Sequence, residues 1–173
     1  MKTLIADKPV RILKAKKQLE KKLNLKIGIE GNKVTIDGKP EDEYLGEKVL
    51  EAFDFGFPFS DAIRISEELN IFEVINIKEH THRKDLKVIR ARIIGRGGKT
   101  LKVMRDLTDC AFEIKDNEVG IIGKAENMPN GKSAVLSVIR GAKQADVYSY
   151  LEKHRIAPVD DWGLKDEKDK ENL

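Results

Sequence analysis

The chain has little of what marks secreted or membrane proteins. Its single cysteine, Cys110, excludes a disulfide framework and fits a reducing compartment. No apolar run approaches the roughly 18 residues that a membrane-spanning helix needs, and no signal peptide is recognisable. We therefore expect a soluble, cytoplasmic protein that has no membrane partner.

Charge, in contrast, is abundant and segregated along the chain. Residues 8–26 carry eight Lys or Arg and one acid, and residues 83–105 carry nine Lys or Arg and one acid. Residues 28–75 carry twelve acids and four bases. This pattern predicts a basic surface for phosphate backbones and an acidic surface elsewhere. The alternative is that the basic runs are merely solvated helix faces.

A turn with almost no side chains, Gly95-Arg96-Gly97-Gly98, interrupts the second basic block. The apolar residues around it have helical spacing: Leu86, Ile89 and Ile93 before it, and Leu101, Met104 and Leu107 after it. A helix, a Gly-x-x-Gly turn and a second helix form the clamp of a KH nucleic-acid-binding domain. Glycine lets the backbone approach a phosphate without an intervening Cβ, and the free N–H groups that open the second helix face that phosphate.

Two nucleotide-binding motifs compete for the same residues and fail. Gly98-Lys99-Thr100 resembles the end of a Walker A motif, but that motif needs a glycine where the chain has Ile93. It also needs a preceding strand, whereas the preceding residues have the pattern of a basic helix. A Rossmann fingerprint would need a glycine in place of Thr100. A helix–turn–helix whose glycines serve packing alone remains an alternative.

The chain also contains an internal duplication. Placing Asn32 on Asn117 aligns residues 32–39 with residues 117–124, with Asn, Val, Ile, Gly and Lys identical. The same alignment, which we call the duplication alignment, pairs Gly46 with Gly131 and Asp61 with Asp146 without a gap. A repeat of this length indicates two copies of one small domain rather than a solenoid.

The second copy predicts the order β-α-α-β-β-α. Its predicted strands are residues 71–77, 110–115 and 118–123, and its closing helix covers residues 130–155 with a break at Gly141. The first copy shows the later half of this order: helix 14–23, strands 25–30 and 33–37, and helix 43–53. The order corresponds to a type I KH domain, in which three helices cover one face of a three-stranded sheet.

The first copy departs from the second at the glycine turn. The duplication alignment places Gly95-Arg96-Gly97-Gly98 on Val10-Arg11-Ile12-Leu13, and only nine residues precede Val10. Either the glycine loop has been deleted, or the first strand and helix are shortened; both remove the clamp. We predict an α+β fold of two tandem type I KH domains, with a degenerate domain at 1–68, an intact one at 69–157 and a flexible charged tail at 158–173.

Three motifs lead to a particular family: the segment 92–100, Gly56-Phe57-Pro58 with Ala62, and Val147-Tyr148-x-Tyr150-Leu151-Glu152-x-x-Arg155. Over residues 3–155 the chain resembles archaeal KH-domain proteins related to the partner-of-Nob and Krr ribosome-assembly factors. The resemblance implies that the unit with the intact loop binds single-stranded RNA, at the 3′ end of small-subunit ribosomal RNA during its maturation. It also implies contacts with a PIN-domain endonuclease and with the alpha subunit of initiation factor two.

The predicted site holds the backbone of about four unpaired nucleotides in the glycine turn. Arg96 would pair with a phosphate, and the bases would face an apolar groove, with strand-edge backbone groups reading their edges. Because few exposed aromatic residues are predicted at this site, stacking should contribute less than it does in RRM or OB-fold proteins. The predicted RNA-binding residues are Arg92, Ile93, Ile94, Gly95, Arg96, Gly97, Gly98, Lys99, Thr100, Lys102, Val103, Phe112, Glu113, Ile114 and Lys115.

Other residues have plainer interpretations. His80 and His82 lack the further ligands of a metal site, so we predict no metal and no cofactor. The alternating phenylalanines at 53, 55, 57 and 59 favour core and inter-domain packing over base stacking, and Cys110 should be a small buried hydrophobe. We expect a protein without enzymatic activity. The alternatives are an adaptor that acts mainly through protein contacts, and a nuclease or nucleotide hydrolase that uses the same basic site.

Overall fold

Two three-stranded antiparallel sheets with their helices make up the part of the chain that the structure, a computed structural model, describes: residues 1–156. The predicted tail at 158–173 lies outside the described residues. We call the elements between residues 2 and 67 the first unit, and those between residues 71 and 153 the second unit.

The first unit starts with a short strand that leads directly into a long helix. Its elements are β1 (Lys2–Ile5), α1 (Pro9–Leu23), β2 (Lys26–Glu30), β3 (Lys33–Asp37), α2 (Pro40–Phe55), α3 (Phe59–Ala62) and α4 (Arg64–Glu67). The sheet order is β1-β3-β2. Both long helices begin with a proline in the first turn, where its missing N–H costs nothing.

The second unit contains the complete predicted order. Its elements are β4 (Ile71–Asn76), α5 (Leu86–Ile94), α6 (Lys99–Thr108), β5 (Ala111–Lys115), β6 (Glu118–Gly123), α7 (Met128–Ile139) and α8 (Gln144–Lys153), with short 3-10 turns at Ile77–His80 and Arg96–Gly98. The sheet order is β4-β6-β5. The predicted break at Gly141 is confirmed: its φ of +99° separates α7 from α8.

The truncation of the first unit now has a structural explanation. The duplication alignment places α1 on the segment 94–108, which in the second unit contains the end of α5, the glycine turn and α6. One continuous helix of 15 residues therefore replaces helix, turn and helix, and β1 has only four residues. Both changes that the sequence allowed have occurred: the glycine loop and the helix before it are missing, and the strand is short.

The first unit covers the face of the second sheet that its own helices leave open. The Phe55, Phe57 and Phe72 rings lie 5.8 to 6.0 Å apart, centroid to centroid. Gly120 makes room for them, because a Cβ there would lie 2.8 Å from both Phe55 and Phe57. Phe59 is half-buried against the same core, so the predicted packing role of the alternating phenylalanines is confirmed.

A charged contact crosses the same junction. The Arg105 guanidinium donates to both carboxylate oxygens of Asp61 at 2.9 and 2.7 Å, and the Asp61 side chain is only 6% exposed. Because a buried carboxylate needs a partner, this bidentate pair makes the contact between α3 and α6 specific.

Cys110 lies in the core of the second unit, as predicted. Burial raises the pKa of its thiol to about 11, so the thiol stays protonated and unreactive at neutral pH. Within residues 1–156, no helix is long and apolar enough to cross a membrane. In the same residues, no group of three or more His, Cys, Asp or Glu side chains is placed to hold a metal ion.

Candidate nucleic-acid interface

The glycine turn reverses the chain between α5 and α6 by using backbone angles that side chains disfavour. Gly95, Gly97 and Gly98 have φ values of +76°, +58° and +77°. A Cβ on Gly95 would lie 2.2 Å from the Thr100 hydroxyl oxygen, so this glycine lets the turn close on α6. Nothing lies within 4 Å of a Cβ at Gly97 or Gly98. These two glycines therefore leave an open surface for a ligand.

Two backbone N–H groups in the turn are free to bind an anion. The Gly95 N–H donates to the Ala91 carbonyl of the preceding helix at 2.9 Å, and the Gly98 N–H donates to the Gly95 carbonyl at 3.2 Å. The Lys99 N–H donates to the Arg96 carbonyl. Within residues 1–156, the N–H groups of Arg96 and Gly97 have no acceptor. Because the side chains of Arg96 and Lys99 are exposed beside them, the turn has the donors and the positive charge that suit an anion at the start of α6.

A shallow groove with an apolar floor begins next to the turn. It is lined by Arg90, Ile94, Ile114, Asp116 and Asn117. Ile94 is 37% exposed and Ile114 is half-buried, while the Arg90 guanidinium donates to the Asn117 side-chain oxygen at 2.5 Å. The sequence prediction missed Arg90, although its position four residues before Ile94 places both on one helix face. Nucleotide bases would meet apolar side chains on the floor and hydrogen-bonding groups at the rim.

Two residues that were predicted to line this groove belong to the core instead. Ile93 is fully buried and Phe112 is 9% exposed, both within the core of the second unit. The prediction of their side chains as ligand contacts is wrong. Ile93 follows Ile89 on the face of α5 that is buried in the core of the second unit, whereas the next residue, Ile94, faces outward. Val103 is half-buried on α6.

Thr100 is also buried, and its hydroxyl is used inside the protein. The Tyr148 hydroxyl donates to it at 3.2 Å, and the Gln144 amide donates to it at 3.4 Å. Thr100 therefore fixes the start of α6 against α8 and supports the turn rather than a ligand.

Arg92 has a positioning role instead of the predicted contact role. Its guanidinium donates to the carbonyl oxygens of Val138 at 3.3 Å and Ala142 at 2.5 Å, at the corner between α7 and α8. The Gln144 amide donates to the Arg92 carbonyl at 3.2 Å. These bonds hold the helix before the glycine turn, and they occupy the cation that we predicted to contact phosphate.

Replacing Arg92 with Met should lower the free energy of unfolding by about 1–3 kcal/mol, because the Ala142 carbonyl loses its donor and the Val138 carbonyl keeps the Gly141 N–H but loses the guanidinium. The matched control is Lys87→Met, which removes the same charge from an exposed position on the same helix and should change stability by less than about 0.5 kcal/mol. Urea denaturation measures both. Equal stabilities of the two variants would show that the Arg92 bonds do not hold α5.

The backbone and the side chains of β5, both predicted to contact RNA, have different surroundings in the structure. Because side chains alternate along β5, Glu113 and Lys115 face the first unit rather than the groove. Lys115 pairs with Asp7, and Glu113 packs against Gly56, where burial raises the pKa of its carboxyl group. β5 is an edge strand that pairs only with β6 within the described residues, so the backbone groups of its other edge face the groove.

The structure therefore brings together a smaller set than the sequence predicted. The exposed cations Arg96, Lys99 and Lys102 lie on and after the turn, and Ile94 and Ile114 form the floor of the groove. Together with the free amides of the turn, they form a cationic rim beside an apolar surface.

The sheet order and the glycine turn define a KH domain of type I. A family model described as a eukaryotic-type KH domain of type I, the second such domain of PNO1, matches residues 71–156. Residues 71–156 thus form a KH domain of the PNO1 type, and the chain is similar to PNO1 and Dim2 proteins, which confirms the predicted fold class and resemblance.

Relatives of known name and structure agree with this assignment. A KH domain-containing protein of Methanocaldococcus jannaschii is 29% identical over 147 residues, which are 81% of this chain and 65% of that protein. The pre-rRNA-processing protein pno1 of Emericella nidulans is 29% identical over 143 residues, 79% of this chain and 55% of that protein. The chain thus spans less than two thirds of the length of either relative.

Solved structures match over more of the chain. Dim2p from Pyrococcus horikoshii superimposes with a TM-score of 0.79 at 26% identity, covering 88% of this chain and 98% of that one. The Dim2p chain of a complex with a/eIF2alpha and rRNA from the same organism gives 0.80 at 26% identity, covering 89% and 93%.

Proposed function

We propose that this protein is a non-enzymatic assembly factor that binds single-stranded RNA at the 3′ end of small-subunit ribosomal RNA. One observation carries the proposal: the unused N–H groups of Arg96 and Gly97 lie within a cationic rim and next to an apolar groove. The pre-rRNA-processing names of the relatives, and the rRNA in the complex that contains a similar chain, support this choice of ligand.

The mechanism divides the nucleic acid between two surfaces. A phosphate accepts hydrogen bonds from the turn amides, and the side chains of Arg96, Lys99 and Lys102 neutralise it and its neighbours. The bases turn inward onto Ile94 and Ile114. The edge of β5, with Arg90 and Asn117 at the rim, supplies donors and acceptors for base edges, which gives a modest sequence preference.

We propose that the chain divides into two domains near residue 68, in the connection between α4 and β4. The degenerate domain supports the intact one. The degenerate unit also adds surface for protein partners. A PIN-domain endonuclease and the alpha subunit of initiation factor two are the proposed partners, the second supported by the a/eIF2alpha in the complex named above. We propose a cytoplasmic location, where these partners would meet the protein.

The test is binding to a short single strand with the sequence of the rRNA 3′ end, measured by fluorescence anisotropy. If about four phosphates are held, log Kd should rise with log salt with a slope of about 3, since each contact to a single strand contributes about 0.7. The same RNA annealed to its complement should bind at least about tenfold more weakly, because paired bases cannot enter the groove. Equal affinity for the duplex would contradict the proposal.

Two further measurements separate the alternatives. Labelled RNA and ATP, each incubated with magnesium and the protein, should remain intact; turnover would favour a nuclease or nucleotide hydrolase. Partners recovered with the protein should be lost after ribonuclease treatment if RNA binding dominates. Recovery that does not change would favour the adaptor.

A further inference from the structure

We propose that helix α1 of the first unit is a second RNA contact, which binds phosphates by lysine side chains alone. This inference rests on the proposed function and extends the RNA path beyond the glycine turn. The proposed contact surface consists of the exposed start of α1 and the lysine stripe, which we define as Lys14, Lys17 and Lys21.

The internal duplication carries the first argument. The duplication alignment places Arg11, Lys14 and Lys17 on Arg96, Lys99 and Lys102, which are the three cations at and after the glycine turn. In the first unit, Val10, Ile12 and Leu13 replace the three glycines of the turn. Positions 11, 14 and 17, in contrast, each keep a cation. The lysine stripe lies beyond the first turn of α1, where the backbone N–H groups bond within the helix, so a phosphate contact there must come from the side chains.

The second argument is that the lysine stripe has no partner within the protein. Lys14, Lys17 and Lys21 are exposed and form no ion pair within the described residues. In contrast, Lys16 and Lys22 on the same helix lie 3.9 and 2.7 Å from carboxylates. A helix with 3.6 residues per turn places the three stripe lysines on one face over about 10 Å, which is enough to follow adjacent phosphates of an unpaired strand.

Arg11 has a different role, because it fixes the start of α1. Its guanidinium donates to the carbonyl oxygens of Phe53 and Phe57 at 2.7 Å and lies 4.3 Å from the Phe53 ring centroid. The Asp54 carboxylate accepts hydrogen bonds from the two backbone N–H groups just before the helix, at 2.9 and 2.7 Å. α1 is therefore held firmly to α2, and its exposed face keeps one orientation.

The third argument is the place of α1 beside the proposed RNA groove. Asp7, just before α1, pairs with Lys115 at the end of β5, the strand that forms one wall of the groove. The charges of Arg11 and Lys8 act on Glu113, which is on the same strand. The start of α1 therefore lies on the other face of β5 from the groove, and a strand of RNA that leaves the groove round the free edge of β5 would reach it.

The chemistry of the exposed face favours RNA over an acidic protein segment. Val10 and Leu13 are 62% and 57% exposed and adjoin the stripe, so a nucleotide could place its ribose and base on them while lysine binds its phosphate. A single strand that continues from the groove would bring its phosphates to this face without a new partner having to be recruited.

The experiment compares Lys14→Glu/Lys17→Glu with a matched control, Lys124→Glu/Lys153→Glu, which makes the same charge change at exposed positions away from α1. Each is measured with a ~5-nucleotide strand that fills the groove alone and with a ~15-nucleotide strand that reaches α1. The α1 variant should bind the short strand within about twofold of the control. It should bind the long strand about tenfold more weakly, with a salt slope lower by about 1.4 for two lost contacts.

A direct measurement accompanies these affinities. Long RNA bound to the unaltered protein should protect Lys14 and Lys17 from acetylation, detected by mass spectrometry, and leave Lys124 reactive. If the α1 variant and the control bind the long strand equally, or if protection is absent, the inference is overturned. A Gly97→Asp variant that binds both strands normally would overturn the proposed function instead, so the two failures are distinguishable.

Discussion

Gly97→Asp lowers affinity for single-stranded RNA by about 100-fold or more, which corresponds to about 2.7 kcal/mol. Gly97 carries one of the two free amides and has open space around it, so a carboxylate there would occupy the proposed place of the phosphate. Its φ of +58° and ψ of +25° are left-handed values that Asp and Asn tolerate better than other side chains. The fold should therefore survive the substitution.

Gly97→Asn is the matched control, because it adds a side chain of the same shape without the charge. We expect its RNA affinity to fall by less than about fivefold, with both variants melting within about 2 °C of each other. Anisotropy titrations measure affinity, and thermal denaturation followed by circular dichroism checks the fold. If Gly97→Asp binds as tightly as Gly97→Asn, the turn does not contact the phosphate.

Phe57→Ala destabilises the protein by about 3–5 kcal/mol, the usual cost of emptying a fully buried aromatic site. Phe57 has no exposed surface, and it packs on Phe55, Phe72 and the bare backbone of Gly120. Because these contacts join the first unit to the second sheet, the loss should affect both units. Urea denaturation gives the stability change, and amide hydrogen exchange shows which strands become less protected.

The matched control for this change is Phe59→Ala, since Phe59 is half-buried at the edge of the same core. Its cost should be about 1–2 kcal/mol, because less surface leaves the interior. Exchange in Phe57→Ala should accelerate in strands of both sheets, for example β3 and β6. If exchange accelerates only in the first sheet, the two units do not share this core. The same conclusion would follow if Phe57→Ala lowers the free energy of unfolding no more than Phe59→Ala does.

Local patterns predicted most of the second unit. β5 and β6 begin and end within one residue of the prediction, because alternating apolar residues and a tight turn with Asp116 in the left-handed region are local properties. The elements of the first unit were predicted less accurately. Its first helix begins at Pro9, five residues before the predicted start, and the short helices α3 and α4 were not predicted. Four-residue helices have too few residues to show a period.

The sequence by itself determined the glycine turn, because positive φ angles and the absence of a Cβ are properties of glycine wherever it stands. It also determined the duplication and the cations that follow the turn. Only the tertiary structure decided which side chains a ligand can reach. Ile94 faces the groove while Ile93 is in the core, the α7–α8 corner occupies Arg92, and Asp7 pairs with Lys115. Such assignments depend on partners far away in the chain, whose positions no local pattern encodes.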